Sequence, residues 1–145
     1  MNRPVLALDA SPWIHWVEQN SQFAPVVSPL MEAVIARQVA AITSVLTLVE
    51  VLTGSFRRGD EIRSRRYLNT FEETEGIEVL DVDREIAIGA ARLRARYGLR
   101  TPDAIHVATA VAAGASAFVT TDRRLSVVRE IDVRVLRPVL PRRKG

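Results

Sequence analysis

Acidic side chains in apolar surroundings are where this sequence can do chemistry. Asp9 comes directly after the apolar run Val5-Leu6-Ala7-Leu8, and Asp122 closes Ala117-Phe118-Val119-Thr120-Thr121. Glu50 is the only charged residue between Thr43 and Ser55. Asp103 opens the run Ala104 to Ala113, whose polar members are His106 and Thr109. A buried carboxylate needs a partner, and several carboxylates in one place repel each other unless a cation lies among them. Hard divalent ions such as Mg²⁺ take oxygen ligands of this kind. Two such ions about 4 Å apart can activate a water and stabilise the leaving oxygen in phosphodiester cleavage. Each acid alone has a plainer reading. Asp9 reads equally as a turn residue capping the next helix, and a lone Glu on a helix is more often solvated. As a set, Asp9, Glu50, Asp103 and Asp122 are read as a metal site.

The elements that must bring them together are legible in outline. Val5–Leu8, Ala40–Thr43, Ile77–Leu80 and Ala117–Thr120 are short apolar or partly alternating runs and read as strands, the first and fourth buried on both faces. Val133–Leu136 alternates enough to be an edge strand. Between them lie helical patterns. Ser11 is the expected N-cap of a first helix through about Glu18, with Pro12 at its first position. Gln19 to Pro25 reads as a loop and Leu30 to Val39 as a helix. Ser44 is expected to cap a helix from Val45 to about Phe56, its apolar face formed by Val45, Leu48, Val49, Leu52 and Phe56. Thr43, Thr47, Glu50 and Gly54 form a polar or small stripe along another face at helical spacing. A helix through Tyr67, Leu68 and Phe71 follows the turn at Gly59-Asp60. Asp83 is the expected cap of a helix over 84–97 that ends at Gly98. Thr101 is expected to cap the nearly all-apolar helix that carries Asp103, with Pro102 at its first position, and a short helix is expected around Leu125 to Arg129.

Alternation of strands and helices argues a parallel sheet with helices on both faces. Right-handed crossovers then put every strand's carboxyl end on one edge, where open α/β sheets bind ligands. Asp9 and Asp122 reach that edge directly, and so does the start of the helix bearing Glu50. The helix of Asp103 follows another helix, so the pattern alone does not bring it there.

The chain of 145 residues is read as one domain over 1–137 followed by a basic tail, 138–145, expected to be loosely ordered. It is 48% hydrophobic and 26% charged, with formal net charge +3. Its basic residues are all arginine except Lys144, and arginine suits bidentate phosphate recognition. Cysteine is absent, which excludes disulfides, thiolate metal sites and cysteine nucleophiles. No apolar run is long enough to span a membrane and none forms a signal-peptide core, so a cytoplasmic location is expected.

Four pieces in order resemble the PIN-domain ribonucleases, and among them the VapC-type toxins of toxin–antitoxin pairs. They are strand-Asp-x-Ser at Asp9 and Ser11, Thr-x-x-Glu-Val from Thr47 to Val51, Thr-Pro-Asp-Ala-Ile-His-x-Ala-Thr-Ala from Thr101, and Phe-Val-Thr-x-Asp-Arg-Arg-Leu from Phe118 to Leu125. The resemblance covers nearly the whole chain. It implies a three-layer α/β/α sandwich with a central, mainly parallel sheet, and a metal-dependent endoribonuclease. Asp9, Glu50, Asp103 and Asp122 match the acidic quartet that holds Mg²⁺ or Mn²⁺ and activates water for in-line attack on the phosphodiester. Ser11 and Thr120 match supporting polar positions. Thr121 stands where many relatives carry Asn. Arg123 and Arg124 are candidate RNA contacts. The resemblance also implies a homodimer and a cognate antitoxin protein.

His106, one turn after Asp103, reads as a structural histidine, and Trp13 and Trp16 read as core rather than partner surface. Two other functions are alternatives. One is a PIN ribonuclease acting in RNA processing outside a toxin system, which the sequence does not separate from a toxin. The other is a non-catalytic receiver-like module, which needs two adjacent acids after its first strand and a lysine after its last. A phosphatase of the haloacid dehalogenase type needs an acid where Ser11 stands.

Overall fold

The computed structural model describes residues 3 to 140; of the tail expected over 138–145, residues 141 to 145 lie outside it. Five strands form one sheet: β1 (Val5–Leu8), β2 (Ala40–Ser44), β3 (Ile77–Leu80), β4 (Ala117–Thr120) and β5 (Val133–Val135). Their spatial order is β3-β2-β1-β4-β5 and every neighbouring pair is parallel. Parallel strands must be joined by crossovers, and here these are α1 (Ala10–Val17), α2 (Ala24–Ile35), α3 (Leu46–Arg57), α4 (Glu61–Glu73), α5 (Arg84–Tyr97) and α6 (Thr101–Ala112). A 3₁₀ turn, Arg123–Val127, joins β4 to β5.

Side chains alternate across the strands and feed two cores. Leu6 and Leu8 of β1, Ala41 of β2 and Ala117 and Val119 of β4 face α1 to α4, packing with Trp13, Val27, Met31, Val51, Tyr67 and Phe71. Ala7, Ile42 and Phe118 face the other way, onto Ile86, Ala90 and Leu93 of α5 and Ala104, Val107 and Ala108 of α6. With both faces covered, the central β1 and β4 read as apolar runs, whereas the outer β3 and β5 expose Glu78 and Arg134. The architecture is the expected α/β/α sandwich, with a wholly parallel sheet. The chain moves from β1 outward to β3 through one helical layer, then returns past β1 to β4 through the other. A right-handed crossover demands that change of face when the direction reverses.

Several local expectations shift. The first helix is capped by Asp9, whose side chain accepts from the Ala10 amide, rather than by Ser11. α6 begins at Thr101 with Arg100 in the cap position, so Thr101 and Pro102 are its first and second residues. α2 starts at Ala24, inside the expected loop, and ends at Ile35 rather than Val39. Pro25 lies in its first turn, where a missing amide costs nothing, and Arg37, at φ 64°, turns the chain out of the helix. α3 is rotated from the face its apolar spacing suggested, though Leu48 and Leu52 still pack against the core. Thr47, Val51 and Ser55 are buried, whereas Val49 and Phe56 are 60% and 63% exposed. Thr47 is drawn inward by Thr43, 2.7 Å away, which itself donates to the Leu8 carbonyl. The turn after β4 is 3₁₀ over Arg123–Val127 instead of a helix over 125–129.

Candidate functional site at the carboxyl edge of the sheet

The chain leaves β1 for β2 on one side and later supplies β4 on the other, so the order reverses between β1 and β4. Crevices at such switch points lie outside the carboxyl ends of the strands. Asp9 follows the last residue of β1 and Asp122 comes two residues after the end of β4. The Asp9 amide donates to the Val119 carbonyl at 2.9 Å, continuing the β1–β4 ladder to the site. Thr120, fully buried, ties the two acids together. Its hydroxyl donates to Asp9 Oδ2 at 2.8 Å and accepts from the Asp122 amide at 3.0 Å. Beside it, Thr121 Oγ1 donates to Ser11 Oγ at 2.9 Å, so the supporting polar residues bridge the same two strand ends.

Glu50, on the second turn of α3, reaches the edge from the other side of β1. His106 of α6 joins it to Asp9: Nε2 lies 2.5 Å from Glu50 Oε1 and 3.7 Å from Asp9 Oδ1. The imidazole is 1% exposed while the Glu50 side chain is 36% exposed, so His106 forms the wall and Glu50 the opening. Asp103 lies one turn earlier on α6 and receives the Arg100 guanidinium at 3.2 Å. Asp122 is gripped by Arg124, whose Nη2 donates to Oδ2 at 2.8 Å and whose Nε donates to Oδ1 at 3.1 Å. Asp103 is near enough for its charge to act on His106 and Arg124, and Arg100 acts on Asp122. α6 thus brings Asp103 within electrostatic reach of both His106 and Arg124.

Burial pushes the Asp9 carboxyl above its ordinary pKa, despite His106, the Thr120 hydroxyl and the Ala10 amide, which all favour its charged form. Burial alone would lower His106. The hydrogen bond to Glu50 and the charges of Asp9, Glu50 and Asp103 together outweigh it and hold the imidazole above its ordinary value. Asp122 is held below the usual carboxylate value, chiefly by the hydrogen bond from Arg124. The edge is thus a set of carboxylates balanced by the chain's own cations.

The donor chemistry, carboxylates with hydroxyls beside them, suits a hard divalent ion. Among the described residues no three acidic or histidine side chains are disposed to hold a metal ion together; His106, Arg100 and Arg124 each pair with a carboxylate instead. Arg124 and Arg100 are 72% and 70% exposed and can swing away without disturbing the core. The residues fit such an ion in kind, and the two arginine contacts are those that would open.

His106 is the residue that sequence reasoning underrated. Its signal was a lone titratable group on an apolar helix, one turn from an acid, a pattern shared by many core histidines. Arg123 and Arg124 separate: Arg124 holds Asp122, and Arg123 makes no ion pair in the described residues. Trp13 is fully buried, edge-on to Phe71 at 5.1 Å between ring centres, whereas Trp16 is half-buried against the same core.

A family model described as PIN domain matches residues 6–131. Among solved structures, the chain resembles VapBC2 from Rickettsia felis bound to a DNA fragment from its promoter, with 13% identity over 91% of this chain and 98% of that one, at TM-score 0.73. It resembles VapBC-5 from Mycobacterium tuberculosis at 24% identity, covering 92% and 98% of the two chains, at TM-score 0.58. The Mycobacterium tuberculosis VapC20, a sarcin–ricin-loop-cleaving toxin, matches at 16% identity over 78% of this chain and 86% of that one, with TM-score 0.63. No curated protein matches in sequence. In the described residues no helix is long and apolar enough to cross a membrane.

Proposed function

The chain belongs to the PIN-domain family, and on that premise we propose that it is a metal-dependent endoribonuclease, the toxin of a toxin–antitoxin pair. The observation that carries the reading is the bridge at the switch point. Thr120 holds Asp9 and Asp122 together across β1 and β4, and His106 draws Glu50 onto Asp9 from α3. Asp103 and Asp122 are held only by exposed arginines that can give way, which leaves the carboxylate edge open to a bound cation. Asp9, Glu50, Asp103 and Asp122 would hold Mg²⁺ or Mn²⁺. The chemistry such an ion supplies when bound is activation of water and stabilisation of charge developing on the phosphate.

The chain's own residues do the rest. Thr120 and the Ala10 amide fix the Asp9 carboxylate in rotamer and direction. His106 fixes Glu50 and keeps its own ring out of water. Arg100 and Arg124 neutralise Asp103 and Asp122 in the resting protein and are free to turn toward a phosphate.

A cognate antitoxin partner is supported by the VapBC complexes among the structural neighbours, and exposed apolar side chains on α3 and α4 (Val49, Phe56 and Ile62) offer surface for that partner or for a homodimer. A cytoplasmic location goes with the reading.

The test is RNA cleavage by the purified, partner-free protein with Mg²⁺ or Mn²⁺ and with EDTA, beside Asp103→Asn. The expected result is cleavage that needs metal and is lost in the variant. Equal behaviour of wild type and variant, or cutting that persists in EDTA, overturns the reading.

A further inference from the structure

Beyond β5 the chain does not leave the domain at once. The Leu136 amide donates to the Thr120 carbonyl at 2.8 Å and the Val139 amide to the Gln22 carbonyl at 2.8 Å. The segment between them is thus strapped across the top of the sheet, from the end of β4 to the α1–α2 turn. Along this strap runs a groove of 410 Å³. Its floor is apolar, made by Val135, Leu136, Pro138 and Leu140, and its charged members are Arg123 and Arg137. Thr121 lines its inner end, and Thr121 is the residue between Thr120 and Asp122 that bonds to Ser11. Thr121 therefore stands between the groove and the carboxylate edge.

The two arginines differ from their neighbours. Arg100, Arg124 and Arg134 each face an aspartate. Arg123 and Arg137 are exposed and, among the described residues, have no acidic partner. An apolar floor with unpaired guanidinium groups, adjoining a phosphodiester-cutting edge, matches a single nucleic-acid strand. The arginines suit phosphates and the floor suits the face of a base.

We propose that this groove, walled by Arg123 and Arg137, is the subsite for the RNA strand on one side of the bond to be cut. The proposal rests on the nuclease reading for its substrate, and its test is separable from it. A fluorescently labelled single-stranded oligoribonucleotide is titrated in EDTA, where nothing is cut, and binding is followed by anisotropy at several salt concentrations. The double variant Arg123→Gln/Arg137→Gln should bind roughly tenfold more weakly. Its slope of log affinity against log salt should fall by about 1.4, at about 0.7 per phosphate contact on a single strand. Arg92→Gln, exposed on α5, serves as the control for general charge and should match wild type. Unchanged affinity and slope in the double variant overturn the subsite, and so does an equal loss in Arg92→Gln. A double variant that loses binding to an oligoglutamate peptide while keeping RNA binding overturns it too, assigning the groove to an acidic protein segment. The nuclease reading is judged separately, by Mg²⁺-dependent cleavage in wild type against Asp9→Asn. Loss of cleavage there with no effect of the arginines leaves the nuclease standing and removes only the groove.

Discussion

Replacing Thr120 by Val keeps shape and volume and removes one hydroxyl. In the native structure that hydroxyl is fully buried, donates to the Asp9 carboxylate at 2.8 Å and accepts from the Asp122 amide at 3.0 Å. A hydrogen bond to a charged group contributes about 1.5 to 3 kcal/mol and a neutral one about 1 kcal/mol. Thr120→Val should therefore lose about 2 to 4 kcal/mol. At about 3 °C per kcal/mol for a domain of this size, the melting temperature falls by roughly 6 to 12 °C. Thr120→Ser keeps the hydroxyl and loses a buried methyl, at about 1 kcal/mol. The expected order of stability is wild type, then Ser, then Val. If apolar burial governed the position, Val would stand at or above Ser.

The effect also has a defined pH dependence. Burial raises the Asp9 carboxyl above 3.8 in the folded protein, and the Thr120 donor pulls it back down. The bond favours the ionised form, so its loss raises the folded pKa of Asp9 further. The gap between wild type and Thr120→Val should be full above the folded pKa of Asp9 and shrink as pH falls through it. Urea unfolding in EDTA at several pH values measures both effects. A Val variant as stable as wild type at neutral pH, or more stable than Ser, refutes the reasoning.

Three further outcomes are expected. His106→Ala should lose about 2 to 3 kcal/mol from the emptied buried site, read by urea unfolding. His106→Gln, which retains a donor for Glu50, should recover part of that stability, and an alanine variant as stable as wild type would contradict the buried contact. Trp13→Ala should cost about 3 to 5 kcal/mol, against much less for the half-buried Trp16, by thermal unfolding; equal effects would contradict the packing. Gly98, at φ 69° with open space around its missing Cβ, should lose about 1 kcal/mol as Ala through backbone strain alone, and a neutral result would mean that the α5–α6 joint relaxes.

Much of the scaffold could be read in advance because the cues were local and strong. β1 is an apolar tetrad between Pro4 and Asp9, β4 a buried run ending in Thr120, β3 a partly alternating run between Gly76 and Asp81, and Gly98 stops α5 where expected. Cap positions moved by one or two residues because several good capping groups compete at each start. At α1 Asp9 takes the Ala10 amide and frees Ser11 for Thr121. The face of α3 was misjudged because apolar spacing identifies a stripe only where large side chains decide the packing. Here small Thr47 and Ser55 are buried, leaving Val49 and Phe56 outside. For the site, the acids stood out by their isolation in apolar runs. Their cations did not. Arg100 and Arg124 resemble any surface arginine, and the contact between His106 and Glu50 spans 56 residues, a pairing that no local pattern encodes.

The bridge between β1 and β4 sets a timetable. Thr120 and Asp9 are 111 residues apart, and a chain made at about 5 to 20 residues per second needs roughly 5 to 20 seconds to pass from one to the other. Throughout that interval β1, destined for the middle of the sheet, has no neighbour on one side, and the edge lacks both Asp122 and the hydroxyl that steadies Asp9. Until then the carboxylate edge is incomplete, and whatever chemistry it performs must wait for β4 to be made.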